Sequence, residues 1–196
     1  RPGTLHRLDR HTSGLLMIAK SFLAQNRLSE AIAKRQVKRH YQALIHGFFE
    51  PASGTLTGNI GRAPHQRQQM TVLKRGGKPA ITHYQSLEIY LEGKFSLIEC
   101  QLETGRTHQI RVHCSYHGHS LVGDPKYGKN QAKFKNLPAS DLKSALLNYP
   151  GQALHAYQLK FNHPRSEQWL EFRAPLPQNF ASLLKLLREY KPEKRP

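Results

Sequence analysis

The sequence predicts an α+β domain: a largely antiparallel or mixed central sheet flanked by a few helices. Apolar runs of strand length outnumber those with helical spacing. Several of these strand candidates also follow one another across short, turn-prone loops. The chain has 196 residues, room for one domain of ordinary size, and 38% of them are hydrophobic. It can therefore bury a core and is not a disordered basic tail.

Taken in order, Gly14–Lys20 is a short apolar run that reads as a buried strand. Ser21 then offers an N-cap to a helix in which Ala24, Leu28, Ala31 and Ile32 share one face. That helix ends near Lys34, Arg35, Lys38 and Arg39, where cations complement the helix dipole. His40–His46 returns to strand composition. Residues 51–79 are rich in Gly, Pro and Gln and suggest hairpins, with strand candidates Thr55–Ile60 and Met70–Leu73. Ile81–Tyr90 and Phe95–Leu102 are the clearest strands, and one face of the second is the more apolar. Thr104-Gly105 breaks it, Thr107 can cap a helix running to about His117, and Gly118 stops that helix. Residues 129–150 read as a mobile surface insertion. Ala153–Phe161 and Gln168–Phe172 form a hairpin through His-Pro-Arg-Ser. Phe180, Leu183, Leu184 and Leu187, behind Pro177 and Asn179, mark a last amphipathic helix.

Charge narrows the function. Thirty Lys and Arg against 13 Asp and Glu give a net charge of +17. Residues 1–80 hold 14 of those cations against three acids, Asp9, Glu30 and Glu50. A fold so imbalanced repels itself, and a polyanion relieves it; nucleic acid is the first candidate. An acidic membrane surface fits less well, because no basic amphipathic helix with bulky aromatics stands out. No apolar run reaches the roughly 18 residues of a membrane helix, and no signal-peptide pattern is present. Cys100 and Cys114 form no CxxC pair, so a disulfide scaffold is excluded and a reducing, cytoplasmic setting fits.

Three segments can carry chemistry. In His6-Arg-Leu-Asp-Arg-His-Thr-Ser-Gly14 one carboxylate, Asp9, lies among two arginines and two histidines. Neighbouring cations favour its ionised form, which suits an anion, nucleophile or base, and equally a salt-bridged loop acid. In Leu102-Glu-Thr-Gly-Arg-Thr-His-Gln-Ile-Arg-Val-His113, a helix from Thr107 would put His108 and Arg111 on one face, with N–H groups at its start that suit phosphate. Gly118-His-Ser-Leu-Val-Gly-Asp-Pro-Lys-Tyr-Gly128 signals tight turns, and structure is its simplest explanation.

These segments resemble those of RluA-type pseudouridine synthases. So do Ala19-Lys20, Tyr41-x-Ala-Leu, Gly77-Lys-Pro-Ala-x-Thr-x-Tyr84 and Ala153-Leu-His-Ala156, in family order across residues 5 to about 178. The resemblance implies isomerisation of a uridine already in RNA, its C1′–N1 bond becoming C1′–C5, on the pseudouridine synthase catalytic fold. It implies that Asp9 is the catalytic aspartate, that Arg111 pairs with it and holds it in place, and that Tyr41, also catalytic, stacks on the target base and helps remove its C5 proton. Arg7 would fill the gap left by the flipped uridine, since a stacked base cannot reattach to its own ribose. Arg10, Lys38, Arg39, Arg106 and His108 are the further RNA-contact candidates. Neither a cofactor nor a metal is implied, and a monomer is expected. The closest branch is the one acting on large-subunit (23S) ribosomal RNA; a tRNA-directed synthase and a non-catalytic RNA-binding protein on the same fold are the alternatives. Residues 1–196 read as a single catalytic domain. The family's upstream strand, with its Asn-Lys-Pro-like turn, and any S4-like domain are expected to be missing from this sequence.

Two other classes fare worse. His113, His117 and His119 beside Cys114 match no zinc-site spacing. A glycosidase generally needs a second carboxylate beside Asp9, and the neighbouring segments supply none.

Overall fold

Alternating apolar residues at 38–46 and 95–102 make two strands that can be covered on both faces, and these sit at the centre of the sheet. The computed structural model describes residues 3–64, 66, 68–128, 134, 137 and 140–190. Its elements run β1 (Ser13–Gly14), α1 (Phe22–Ala33), β2 (Lys38–His46), β3 (Ser53–Arg62), β4 (Met70–Leu73), β5 (Lys78–Tyr90), β6 (Phe95–Leu102), α2 (Gln109–Tyr116), α3 (Asp141–Leu147), β7 (Leu154–Asn162), β8 (Trp169–Arg173) and α4 (Gln178–Glu189). The sheet order is β1-β7-β2-β6-β5-β3-β4, with β8 also on β7. β1 and β8 divide the outer edge of β7, at His155–Ala156 and at Gln158–Asn162. β1 pairs in parallel, and every other pairing is antiparallel. The fold class is therefore α+β with a mixed, mainly antiparallel sheet, as the strand-rich pattern predicts.

Alternation splits the core into two layers. Tyr41, Ala43 and Ile45 of β2 join Ile98, Cys100 and Leu102 of β6 on the face that α2 covers through Ile110 and Cys114. Leu44, Phe95 and Leu97 point the other way, into a cluster closed by α3 and α4. All four apolar positions of the last helix, Phe180, Leu183, Leu184 and Leu187, are buried there. α1 covers a third cluster with Met17, Val37, Leu159 and Phe161. No helix among the described residues is long and apolar enough to cross a membrane.

Three local expectations change. Of the first apolar run only Gly14 enters the sheet, together with Ser13 before it. Beyond them the chain lies beside residues 3–6: Leu5 donates to the Met17 carbonyl at 3.4 Å, and the Met17 N–H goes to His6 Nε2 at 3.0 Å. Gly14 is needed at the crossing, because at φ +106° an added Cβ would lie 2.2 Å from the Ala156 carbonyl oxygen. α2 begins at Gln109 rather than Thr107, after His108 in the left-handed region (φ 57°). No side chain among the described residues caps α2; the Gln109 side chain instead braces the loop that leads into it. Its Oε1 accepts from the Thr104 hydroxyl at 2.7 Å and the Arg106 N–H at 2.9 Å. Gly118, at φ +86°, follows the helix as the sequence predicts. The supposed insertion at 129–150 contains a packed element: Ser140 caps α3, and Leu142 and Leu146 are buried against α4. Residues 129–133, 135–136 and 138–139 lie outside the described residues.

Candidate active site

The turn carrying Asp9 is fastened to the start of β7. Thr12 N–H closes the turn on the Asp9 carbonyl at 3.0 Å. Gln152 Nε2 donates to the Arg10 carbonyl at 2.6 Å and to Thr12 Oγ1 at 2.9 Å. His155 Nε2 lies 3.2 Å from the Ala174 carbonyl, which can only accept, so that nitrogen carries the proton. Its Nδ1 then accepts from the Ser13 hydroxyl at 2.8 Å. Burial, partly offset by the Ala174 contact, lowers the His155 pKa and agrees with this neutral tautomer.

Arg111 reaches Asp9 from α2. Its Nη1 donates to Asp9 Oδ2 at 3.1 Å. Its other edge is held bidentately by Asp124, Nε to Oδ2 at 2.7 Å and Nη2 to Oδ1 at 2.9 Å. Asp124 is fully buried, and its Oδ1 also accepts the Lys126 and Tyr127 N–H groups at 2.9 and 3.0 Å. Residues 120–122 place this turn by running beside β2, His46 N–H to the Ser120 carbonyl and Val122 N–H to the Leu44 carbonyl. The Arg111 guanidinium also lies over the Tyr127 ring, 5.1 Å from its centroid. Burial alone would lower the Arg111 pKa; the bonds and charges of Asp124, then of Asp9, outweigh it and raise it. The Tyr127 hydroxyl meets His108 Nδ1 at 2.7 Å and accepts the Met70 N–H at 3.0 Å, joining the site to β4.

Asp9 opens onto a cavity of about 730 Å³, within the roughly 300–1,000 Å³ range of small-ligand sites. Asp9 is the one carboxylate among its described lining residues, facing three guanidinium side chains, Arg7, Arg39 and Arg106. Tyr41 lines it from β2 and is otherwise buried. Burial, and to a smaller degree Asp9, raise the Tyr41 pKa against the opposing effect of Arg39. The phenol keeps its proton at neutral pH.

The structure thus brings Asp9, Tyr41, Arg111, Arg7, Arg39, Arg106 and His108 to one place. Arg7 is exposed at the rim, and the Arg106 Nε donates to the Pro79 carbonyl at 2.8 Å. Burial lowers the His108 pKa, more than the nearby Asp9 charge raises it. Two candidates fall elsewhere. Arg10 is exposed and is not among the residues lining the cavity; its carbonyl accepts from Gln152. Lys38 is adjacent to Arg39 on β2 and so faces the opposite side of the sheet, where its charge acts on Glu103. His108 precedes α2, so it meets Arg111 through Tyr127 and not across a helical turn. Asp124, Tyr127 and Gln152 were missed as functional supports. The first two sit in the Gly118–Gly128 segment, which shares the family resemblance but reads as structural turns, and for Gln152 there was no signal. Among the described residues no three His, Cys, Asp or Glu side chains gather as metal ligands. His113 Nδ1 instead bonds Thr82, and His119 Nδ1 the His46 carbonyl.

Comparison with known proteins identifies the family. The RNA pseudouridylate synthase family matches residues 1–116. An uncharacterized RNA pseudouridine synthase of Bacillus subtilis (strain 168) is 46% identical over 189 residues, 96% of this chain and 57% of that protein. A ribosomal large subunit pseudouridine synthase D of Neisseria meningitidis serogroup A is 47% identical over 190 residues, 96% of this chain and 49% of the other. The chain thus spans about half the length of these curated relatives. Among solved structures, human RNA pseudouridylate synthase domain containing 4 superimposes with a TM-score of 0.73 at 27% identity, covering 94% of this chain and 75% of that one. The motif-bearing turn, the basic cavity around one carboxylate and these matches place the chain in the RNA pseudouridylate synthase family, of RluA type.

Proposed function

We propose that the protein isomerises specific uridines of large-subunit ribosomal RNA to pseudouridine. One observation carries the reading: a lone cavity carboxylate, Asp9, is gripped by a guanidinium that is itself clamped from behind by Asp124. The guanidinium holds the Asp9 carboxyl at the cavity, where the reaction needs it whether Asp9 attacks C1′ or removes a proton from C2′. The C1′–N1 bond breaks, the freed base turns, and C5 bonds to C1′. The C5 proton then leaves and N1 takes one up, so atoms balance without an oxidant or reductant. The target must leave its stack to reach a cavity of this kind, and a loop uridine does so most cheaply. Tyr41 offers the base a ring to pack on; its raised pKa suits a neutral phenol there rather than a phenolate base. Arg7 stands at the rim, where it can occupy the gap in the RNA. The protein works as a cytoplasmic monomer without metal or cofactor in this reading. The ribosomal assignment follows relatives that are named for the large subunit.

The test is to treat total RNA with the wild-type protein and with Asp9→Ala, then map carbodiimide-resistant adducts. Adducts at discrete large-subunit uridines with wild type only are expected. The same map from both proteins contradicts the proposal.

A further inference from the structure

Two buried guanidinium groups line or back the cavity, and they differ in one respect. Arg111 has two carboxylates. Arg39 is only 5% exposed, its Nε has no hydrogen-bond partner, and no ion pair to it occurs among the described residues. Its cross-strand neighbour on β6 is Leu102. The next residue, Glu103, is engaged by Arg35 at 2.5 Å and His83 at 2.6 Å. His6 lies near enough to feel the Arg39 charge, and its Nε2 accepts the Met17 N–H, so it is a neutral neighbour. Burial, then the charge of Arg39, hold His6 down at about 4. Gly105 makes the space: a Cβ there would lie 2.8 Å from Arg39 Nη1. A buried cation with no partner is costly unless a ligand completes it.

We infer that Arg39, with the Gly105 backbone opposite, forms a subsite for a phosphodiester group flanking the nucleotide that enters the cavity. This rests on the proposed function above. Arg39 lies two residues along β2 from Tyr41 on the same face, about 7 Å away. That is the kind of separation a ribose spans between its base and its phosphate. A planar guanidinium with open N–H groups suits phosphate oxygens, and a desolvated one binds them more firmly than a solvated surface lysine does. Arg39 therefore fixes the sugar–phosphate end of the nucleotide while Tyr41 holds the base end.

The test needs no turnover, so it fails or succeeds independently of the isomerase reading. The intact protein is titrated with uridine, uridine 5′-monophosphate and uridine 3′-monophosphate, and binding is followed by NMR. Wild type should bind one or both monophosphates about tenfold or more tighter than uridine, and which one identifies the flank. Arg39→Met should bring that ratio to near one while leaving the melting temperature unchanged or raised, because it removes an unpaired buried charge. Arg39→Lys should restore part of the ratio. A structural role for Arg39 predicts the reverse, a less stable Arg39→Met protein. Equal or equally undetectable binding of the three ligands to wild type overturns the subsite. So does an Arg39→Met protein that keeps the ratio or fails to fold.

Discussion

The guanidinium of Arg111 faces two carboxylates of unequal standing: Asp124 takes two hydrogen bonds in full burial, and Asp9 takes one at the cavity wall. Asp124 is thus the anchor that fixes where Arg111 ends and where Asp9 is held. Asp124→Asn leaves a buried guanidinium partly uncompensated. It should cost about 3–5 kcal/mol in urea unfolding and lower turnover by about 100-fold through misplacement of Asp9. RNA affinity should stay nearly constant; a variant with wild-type turnover would show the clamp to be dispensable. Asp9 and Arg111 were legible because each sits in a long motif. The anchor Asp124 lies in a motif segment as well, but nothing in its Gly-Asp-Pro turn reveals which helix the fold will lay against it. Histidines give a second residue-scale prediction. Burial lowers His6 and His113 from 6.5 to about 4. Below pH 6.5 the unfolded chain therefore binds more protons than the native one at these positions. Stability should be fully present above pH 6.5 and fall as pH drops towards 4, by up to about 1.4 kcal/mol per unit for each group. His113→Gln should flatten that slope in urea titrations; a protein that gains stability on acidification contradicts the assignment.

Elements with a strong period were readable, and those defined by what they pack against were not. The face of α4 was legible to the residue, since Phe180, Leu183, Leu184 and Leu187 repeat at helical spacing and all are buried. Residues 14–20 have strand composition, yet the edge of β7 beyond Ala156 is taken by β8, and the Met17 backbone pairs with the N-terminal segment. Polar composition hid α3, whose seven residues carry too little periodicity to betray a buried face. Its packing is open to measurement. Leu146 is 1% exposed within the α3–α4 cluster, and Leu146→Ala should cost about 2–5 kcal/mol of stability. A change under half a kcal/mol, typical of surface positions, would return this segment to the status of a loose insertion.

At the scale of the whole molecule, the two faces of the sheet do different jobs. One is sealed by α3 and α4 and holds an apolar cluster at least as large as the one beneath α2. The other carries α2, the Asp9 turn and the basic cavity, where three guanidinium side chains line the space around one carboxylate. Net charge pointed to a polyanion as the first candidate partner, and ordered motifs named the family. What neither could supply was which arginines are already neutralised within the fold, Arg111, and which are not, Arg39. The central claim is that the Asp9 carboxylate does chemistry on a uridine that the basic cleft binds. It is tested most directly with RNA tritiated at uridine C5, because forming the C5–C1′ bond expels that hydrogen to water. Wild type should release tritium, whereas Asp9→Asn, which keeps the shape but not the charge, should release none while binding the RNA with affinity within about threefold, as expected when a contact made only in the transition state is removed. Tritium release by Asp9→Asn at the wild-type rate would contradict the account.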